Sequence, residues 1–466
     1  MWASRVTPTR LAIAAALVGA AVIMSSAGSA VTASRTAAGD PSLASLLTTP
    51  PRATASSLTP TAAATAAATA AASASASASA AATPAATTSA SPSTPGAAGA
   101  QEVRAGTDQS SGYVTVCGSQ LCLNGSPWTF TGVNAYEAAT DWGVNAGCGT
   151  ELSQSDLDNL FTSLGPGKVV RFWAFQALAT NYTTKQLDWG PIDRVIDTAA
   201  AYGDMVIPAL TNETGSCDDN EWKDAAWYNG GYMNVNDSSA WPSSTPLSYW
   251  DYMQDFLQRY RDNPTIAMVE LVSEPSPTES NYVCVNEAQA AQALRSFFDT
   301  VGAEAHSIDP NHLIESGLQG SNQCGSMNKD YGYVMASSGV DVASVHDYET
   351  ALTPDYFTGA VAEAQSDGKP LISGEVGEEA QAGLAGCPDL ADRTSLMEQK
   401  MTAQMGGGSS GFLAWDWVPS NPGGGNTCSY DIGPGDPLIS ALATAPVEDA
   451  AASSAIMSHP LIIAAP

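Results

Sequence analysis

The sequence predicts a (β/α)8 barrel over residues 111–443, and three observations lead there. Eight short segments are apolar without alternation, the mark of strands buried on both faces of a parallel sheet. Helix-like stretches separate them, as βαβ crossovers require. The turn after the first strand, Val133-Asn-Ala-Tyr136, lacks the Gly-rich phosphate loop that an open doubly wound sheet would usually carry.

The strands are expected, in order, at Thr129–Asn134, Val169–Phe175, Met205–Leu210, Thr265–Leu271, His312–Ser316, Asp341–His346, Pro370–Gly374 and Gly411–Trp417. Helical stretches between them include Ser153–Leu164, with its Ser/Asp start, then Pro191–Tyr202, Tyr249–Tyr260, Asn286–Ser307 and Arg393–Met405.

Other segments flank this region. Arg5 and Arg10 precede an apolar run from Leu11 to Met24, small residues follow, and Val31-Thr-Ala33 reads as a cleavage site. Residues 1–33 therefore read as a signal peptide, the apolar run being too short to span a bilayer comfortably. Residues 34–110 are Ala, Ser, Thr and Pro with almost no large apolar side chains. Ordering them would cost conformational entropy with little burial in return, so a disordered linker is expected, with cell-wall association as its reading. The tail 444–466 is small and apolar and carries no assignment.

All eight cysteines follow the linker. An even number in an exported chain points to disulfides. With no CxxC pair and only four histidines, zinc is a poor alternative. Cys117 and Cys122 fit two strand ends facing across a tight turn; the other pairings are not readable. The net charge of −30 disfavours nucleic acid and anionic membrane, which need a basic footprint. Tryptophans and tyrosines crowd into Glu221–Tyr232 and Trp241–Trp250. In loops rich in Gly, Asn and Asp, about half should pack the loop down and the rest offer flat faces to sugar rings.

Barrel active sites form at the C-terminal ends of the strands. Asn134 and Tyr136 follow the first strand, and Arg171 and Trp173 lie in the second. Asn212 and Glu213 follow the third, and Ser273 and Glu274 the fourth. His346 and Tyr348 follow the sixth, Glu375 the seventh, and Trp415 and Trp417 the eighth. Two carboxylates among aromatics suit glycosidic bond cleavage, one protonating the leaving oxygen while the other attacks the anomeric carbon or activates water.

The chain resembles glycoside hydrolase family 5, and within it the endo-β-1,4-mannanases. The matching stretches are Val169–Phe175, Glu270-Leu-Val-Ser-Glu-Pro275, Ser307–Leu313, His346-Asp-Tyr348, Lys369–Gly377 and Trp415-Asp-Trp417, in family order. The resemblance implies Glu274 as acid/base and Glu375 as nucleophile. It further implies that Arg171 and Tyr348 hydrogen-bond the nucleophile and that His346 and Trp415 line the subsite at the cleaved bond. Trp173, Asn212, Ser273 and Trp417 complete the expected substrate-binding set.

Glu274 is expected against apolar walls that favour its protonated form. Glu270, four residues earlier on the same pleat face, needs a buried partner such as Arg171. Glu378 and Glu379, beyond Gly377, read as surface acids, and His306 and His312 as structural. The family usually has asparagine where Ser273 stands and an aromatic at Val376, which bears on rate and on substrate. The functional expectation is a secreted, monomeric, cofactor-free and metal-free retaining endo-β-glycosidase acting on β-mannan. A β-1,4-glucanase and a catalytically weak carbohydrate-binding wall protein stand as alternatives. Retention requires the two carboxyl groups to lie about 5–5.5 Å apart.

Overall fold

The computed structural model describes residues 112–235, 246–279, 282–320, 322–419 and 427–445. The expected leader and linker, nearly all of the tail and Trp241 lie outside the described residues.

Eight parallel strands form one sheet that curls into a nearly closed barrel. They are β1 (Phe130–Asn134), β2 (Val169–Trp173), β3 (Met205–Ala209), β4 (Met268–Glu270), β5 (Leu313–Glu315), β6 (Ala343–Asp347), β7 (Leu371–Val376) and β8 (Ser409–Ala414). β8 pairs with β1, and a parallel bridge between Glu315 and Val342 joins β5 to β6 at the remaining seam. Every strand falls within or overlaps the apolar run that predicts it.

A helix follows each strand: α1 (Gln154–Leu164), α2 (Gly190–Tyr202), α3 (Tyr249–Tyr260), α4 (Glu287–Phe297), α5 (Asp330–Met335), α6 (Phe357–Ser366), α7 (Leu390–Gly406) and α8 (Pro437–Thr444). Ser153 caps α1 in a reciprocal capping box with Asp156, and Ser248, Asn286 and Asp389 cap α3, α4 and α7. The expected helix Asn286–Ser307 is continuous, passing from α4 through a π turn at Phe298–Gly302 into Ala303–Ile308.

Before the barrel, Val114–Cys117 and Gln120–Leu123 pair antiparallel, and the expected Cys117–Cys122 disulfide closes their turn. Val114 and Leu121 of this hairpin pack against Phe130, Val169, Met268 and Ile372 inside the barrel, plugging its N-terminal end. Gly411 is required here, because a Cβ on it would lie 2.2 Å from the Phe130 ring. Three further disulfides, Cys148–Cys217, Cys284–Cys324 and Cys387–Cys428, tie the segments that follow the strands.

Behind the opposite mouth, the ammonium of Lys400 on α7 is fully buried between Asp347 at 3.1 Å and Glu378 at 2.8 Å. This corrects the reading of Glu378 as a surface acid. The chain folds back after Gly377, and the buried lysine needs a second counter-charge. Glu379 is exposed, as expected. His312 is locked between Asp309 and the Asn263 carbonyl, and His306 pairs with Asp341, so both histidines are structural.

Candidate active site

Arg171 organises the mouth. It points inward from β2, almost fully buried, and each of its five N–H groups has a partner. Nε donates to Glu270 Oε2 at 2.5 Å and Nη2 to Glu270 Oε1 at 2.8 Å, the bidentate pairing expected for Glu270. Nη2 also reaches Ser273 Oγ at 2.8 Å. Nη1 donates to Asn134 Oδ1 and to Glu375 Oε1, both at 2.7 Å. The two flanking carboxylates hold the guanidinium charged against the penalty of burial.

Glu375, near the end of β7, is thereby fixed on one oxygen. Tyr348 donates its hydroxyl to the other, Oε2, at 2.5 Å. Burial pushes the Glu375 carboxyl above its ordinary range, although His346, Arg171 and Tyr348 pull the other way.

Glu274 faces it from the end of β4. Its side chain is 29% exposed, against 5% for Glu375. The Glu274 backbone is left-handed, with φ of 54°, which is uncommon for a residue with a side chain and typical of strained functional positions. The turn is held by Glu274 N–H on the Gly317 carbonyl and by the Gln323 amide on the Glu274 carbonyl, each at 2.9 Å. Gly317 itself has positive φ, and a Cβ there would lie 2.0 Å from the Val272 carbonyl oxygen.

His346 joins the two acids. Its Nδ1 lies 2.7 Å from Glu274 Oε1 and 3.5 Å from Glu375 Oε2. An oxygen of Glu274, an oxygen of Glu375 and a His346 nitrogen all lie within 4.8 Å of one another. This corrects the expected environment of Glu274. Burial does push its carboxyl up, but the His346 hydrogen bond and charge, with help from Gln319 and Arg171, bring it below the ordinary carboxylate range. The imidazole is raised in turn: burial lowers it, and the charges of Glu375 and Glu274 outweigh that.

An aromatic wall flanks the acids. Tyr136 stacks on Trp415 with centroids 5.5 Å apart and planes 8° from parallel, and Trp173 tilts against Tyr136 at 4.7 Å. Of the other expected members of the binding set, Trp417 lies in the core and Asn212 pairs with Ser273 beside Glu274. Trp417 is 1% exposed within the main core, since the chain turns inward after Trp415 and Trp417 N–H bonds the Asn134 carbonyl. The Asn212 amide is occupied within its own loop, donating to the Ser216 carbonyl and accepting from the Thr214 hydroxyl. Arg171 and Ser273 are hydrogen-bonded to each other. Arg171 is walled in, and the Ser273 hydroxyl is turned toward it. Of the crowded aromatic loop, Trp227, Tyr228 and Tyr232 are buried while Trp222 is partly open.

Further buried acids surround the mouth. Glu315 ends β5 as Glu270 ends β4, and burial with the neighbouring Glu270 charge pushes it up to about 8. Glu213, after β3, also rises to about 8 through burial, and the Thr278 hydroxyl donates to it at 2.9 Å. Glu137, beyond β1, is pushed up to about 7. The rule that located Glu274, an acid at a strand's C-terminal end, would also have found Glu315.

The comparisons with known proteins agree with this geometry. The family model for cellulase, glycosyl hydrolase family 5, matches residues 133–421. The chain belongs to glycosyl hydrolase family 5. Among curated relatives of this family 5 chain, mannan endo-1,4-beta-mannosidase 7 of Arabidopsis thaliana is 25% identical over 358 residues, covering 66% of the chain and 79% of the relative. Mannan endo-1,4-beta-mannosidase 1 of Oryza sativa subsp. japonica is 25% identical over 354 residues, covering 65% and 78%. The solved endo-1,4-beta-mannanase from Rhizomucor miehei superposes with a TM-score of 0.50 at 22% identity, over 71% of this chain and 97% of that one. That likeness shows the shared barrel fold. The family 5 protein described here is thus an endo-mannanase-like glycoside hydrolase.

Proposed function

We propose that this family 5 protein is a secreted retaining endo-β-1,4-mannanase, with Glu274 as acid/base and Glu375 as nucleophile. The observation that carries the reading is the approach of the two carboxyl groups. An oxygen of each comes within 4.8 Å of the other across one mouth, which supports the about 5–5.5 Å of direct attack over the 6.5–9.5 Å that leaves room for an intervening water.

In the first step a Glu375 oxygen attacks the anomeric carbon while Glu274 delivers its proton to the glycosidic oxygen, and the leaving sugar departs with a free hydroxyl. In the second, Glu274 takes a proton from water, which attacks the same carbon and releases Glu375. Arg171 and Tyr348 hold one oxygen of Glu375 each, so the nucleophile is oriented before substrate arrives. The Tyr136–Trp415–Trp173 wall offers a flat face to the sugar ring. The chemistry needs no cofactor.

Mannan is favoured by the names of the curated relatives, and β-1,4-glucan follows because the matching family model is described as cellulase. Export is supported by the leader-like residues 1–33 and by four disulfides among the described residues. The test is reducing-sugar release from mannan, glucomannan and carboxymethylcellulose, with proton NMR of the first-formed anomer. Retained configuration is expected, with loss of roughly 10²-fold or more in Glu274→Gln and Glu375→Gln. Inverted product, or unchanged rates in both variants, sinks the assignment; tight binding without turnover would favour a wall-binding protein.

A further inference from the structure

Glu315 is a buried acid that the proposed two-step reaction leaves without a role. It ends β5 directly across from Glu270 on β4, and a bridge to Val342 ties its other side to the start of β6. Both acids are within 1% of complete burial. The guanidinium above them is fully committed. Its five N–H groups go to Glu270 twice, to Ser273, to Asn134 and to Glu375, and none goes to Glu315. The hydrogen bond given to the Glu315 carboxyl among the described residues is from the Gly317 backbone N–H, at 2.9 Å on Oε1. One neutral N–H does not balance a buried carboxylate beside another carboxylate.

We infer that Glu315 is a positioning residue that carries a proton beneath the active site, so that Arg171 faces one negative charge below it, on Glu270, and is free to hold Glu375 above. The positioning half of this inference rests on the proposed role of Glu375; the protonation half does not. The charged and titratable groups facing Glu315 are Glu270 on β4, Arg171 on β2, His346 on β6 and Tyr331 on α5. Burial and the Glu270 charge favour the neutral acid, while Gly317 N–H, Arg171 and His346 oppose it, and the balance leaves the carboxyl raised to about 8. When Glu315 ionises, a second negative charge opens beneath Arg171. The guanidinium is then drawn toward the barrel interior, and its bond to Glu375 weakens.

Two readouts separate the halves. The first is thermal stability against pH in the full chain and in Glu315→Gln, with Glu315→Met as a second neutral variant of similar volume. Between about pH 4.5 and 8 the unfolded carboxyl is ionised and the folded one is not, so the parent's Tm falls with rising pH through this window and flattens above it. The neutral variants should lack that part of the fall. Parallel Tm curves would mean that Glu315 holds no extra proton in the folded state, and would overturn the inference whatever the enzyme acts on. The second readout is the pH profile of kcat/KM on whichever glycan is cleaved. Glu315→Gln should match the parent within about twofold at pH 6, and the variant-to-parent ratio should rise by about tenfold per pH unit above 8. A flat ratio above pH 8, or a loss of more than about tenfold at pH 6, would overturn the positioning role.

Discussion

At the N-terminal end of the barrel, Val169 and Met268 meet the hairpin residues Val114 and Leu121 in an apolar plug. Two residues along the same strands, Arg171 and Glu270 face the same axis and form a bidentate ion pair. The pleat puts residues i and i+2 on one face, so a single strand serves both layers. The difference teaches that the lower layer gains its stability by removing apolar surface from water. The upper layer holds Glu270, Glu315, Glu375, Arg171 and His346, which stay out of water only because each is partnered or neutral. Stability and chemistry are thus stacked along the barrel axis and can be attacked separately.

The sharpest break of the upper layer is Arg171→Leu. It strands Glu270 without a counter-charge, costing about 3–5 kcal/mol, and releases one oxygen of Glu375. Glycan hydrolysis should fall by roughly 10³-fold at a temperature where the variant is still folded, because the nucleophile's orientation is lost. A variant with near-normal turnover would show that Arg171 is only a structural cation. The matching break of the lower layer is Phe130→Ala. Loss of that ring, fully buried against the hairpin and Gly411, should cost about 3–5 kcal/mol in denaturant melts. Turnover per folded molecule should not change; a large fall in kcat would show that the two layers are coupled.

The disulfides extend the contrast to the segments outside the strands. Cys148–Cys217 closes 69 residues between the segments after β1 and β3, at the mouth, whereas Cys117–Cys122 closes five in the hairpin. Loop-closure entropy puts the loss on replacing each pair by serine at about 4 kcal/mol and about 2 kcal/mol. Melting curves of the two double variants check the order, and equal losses would point to effects in the folded state.

Much of this stacking is legible in the sequence. The eight strands stand out because burial on both faces removes polar alternation, and α1, α3 and α4 because Ser153, Ser248 and Asn286 are strong caps. The helix α6 has no side-chain cap at Tyr356 and α5 is short, so neither leaves a local signal. The Arg171–Glu270 pair could be anticipated because a buried charge needs a partner. What a strand-end rule cannot say is which way the chain turns next. Trp415 and Trp417 share a pleat face in sequence, yet only Trp415 stays at the mouth. Nor does sequence reveal that an imidazole from β6 would land on Glu274 and reverse the shift that burial alone would produce.

That imidazole yields the smallest and most discriminating effect. Glu274 must carry a proton to act as acid, so rate falls as pH rises through its pKa, which His346 holds low. Glu375 must be ionised to attack, so rate falls as pH drops through its pKa, which burial raises and His346 partly restrains. In His346→Ala both carboxyls lose the hydrogen bond or charge that lowers them, so both limbs of the kcat/KM profile should move upward. If only one limb moved, His346 would act on one carboxyl alone and its approach to the other would be without consequence. If neither moved, the acid and nucleophile would be tuned from below, through Arg171 and the buried glutamates, rather than from the rim.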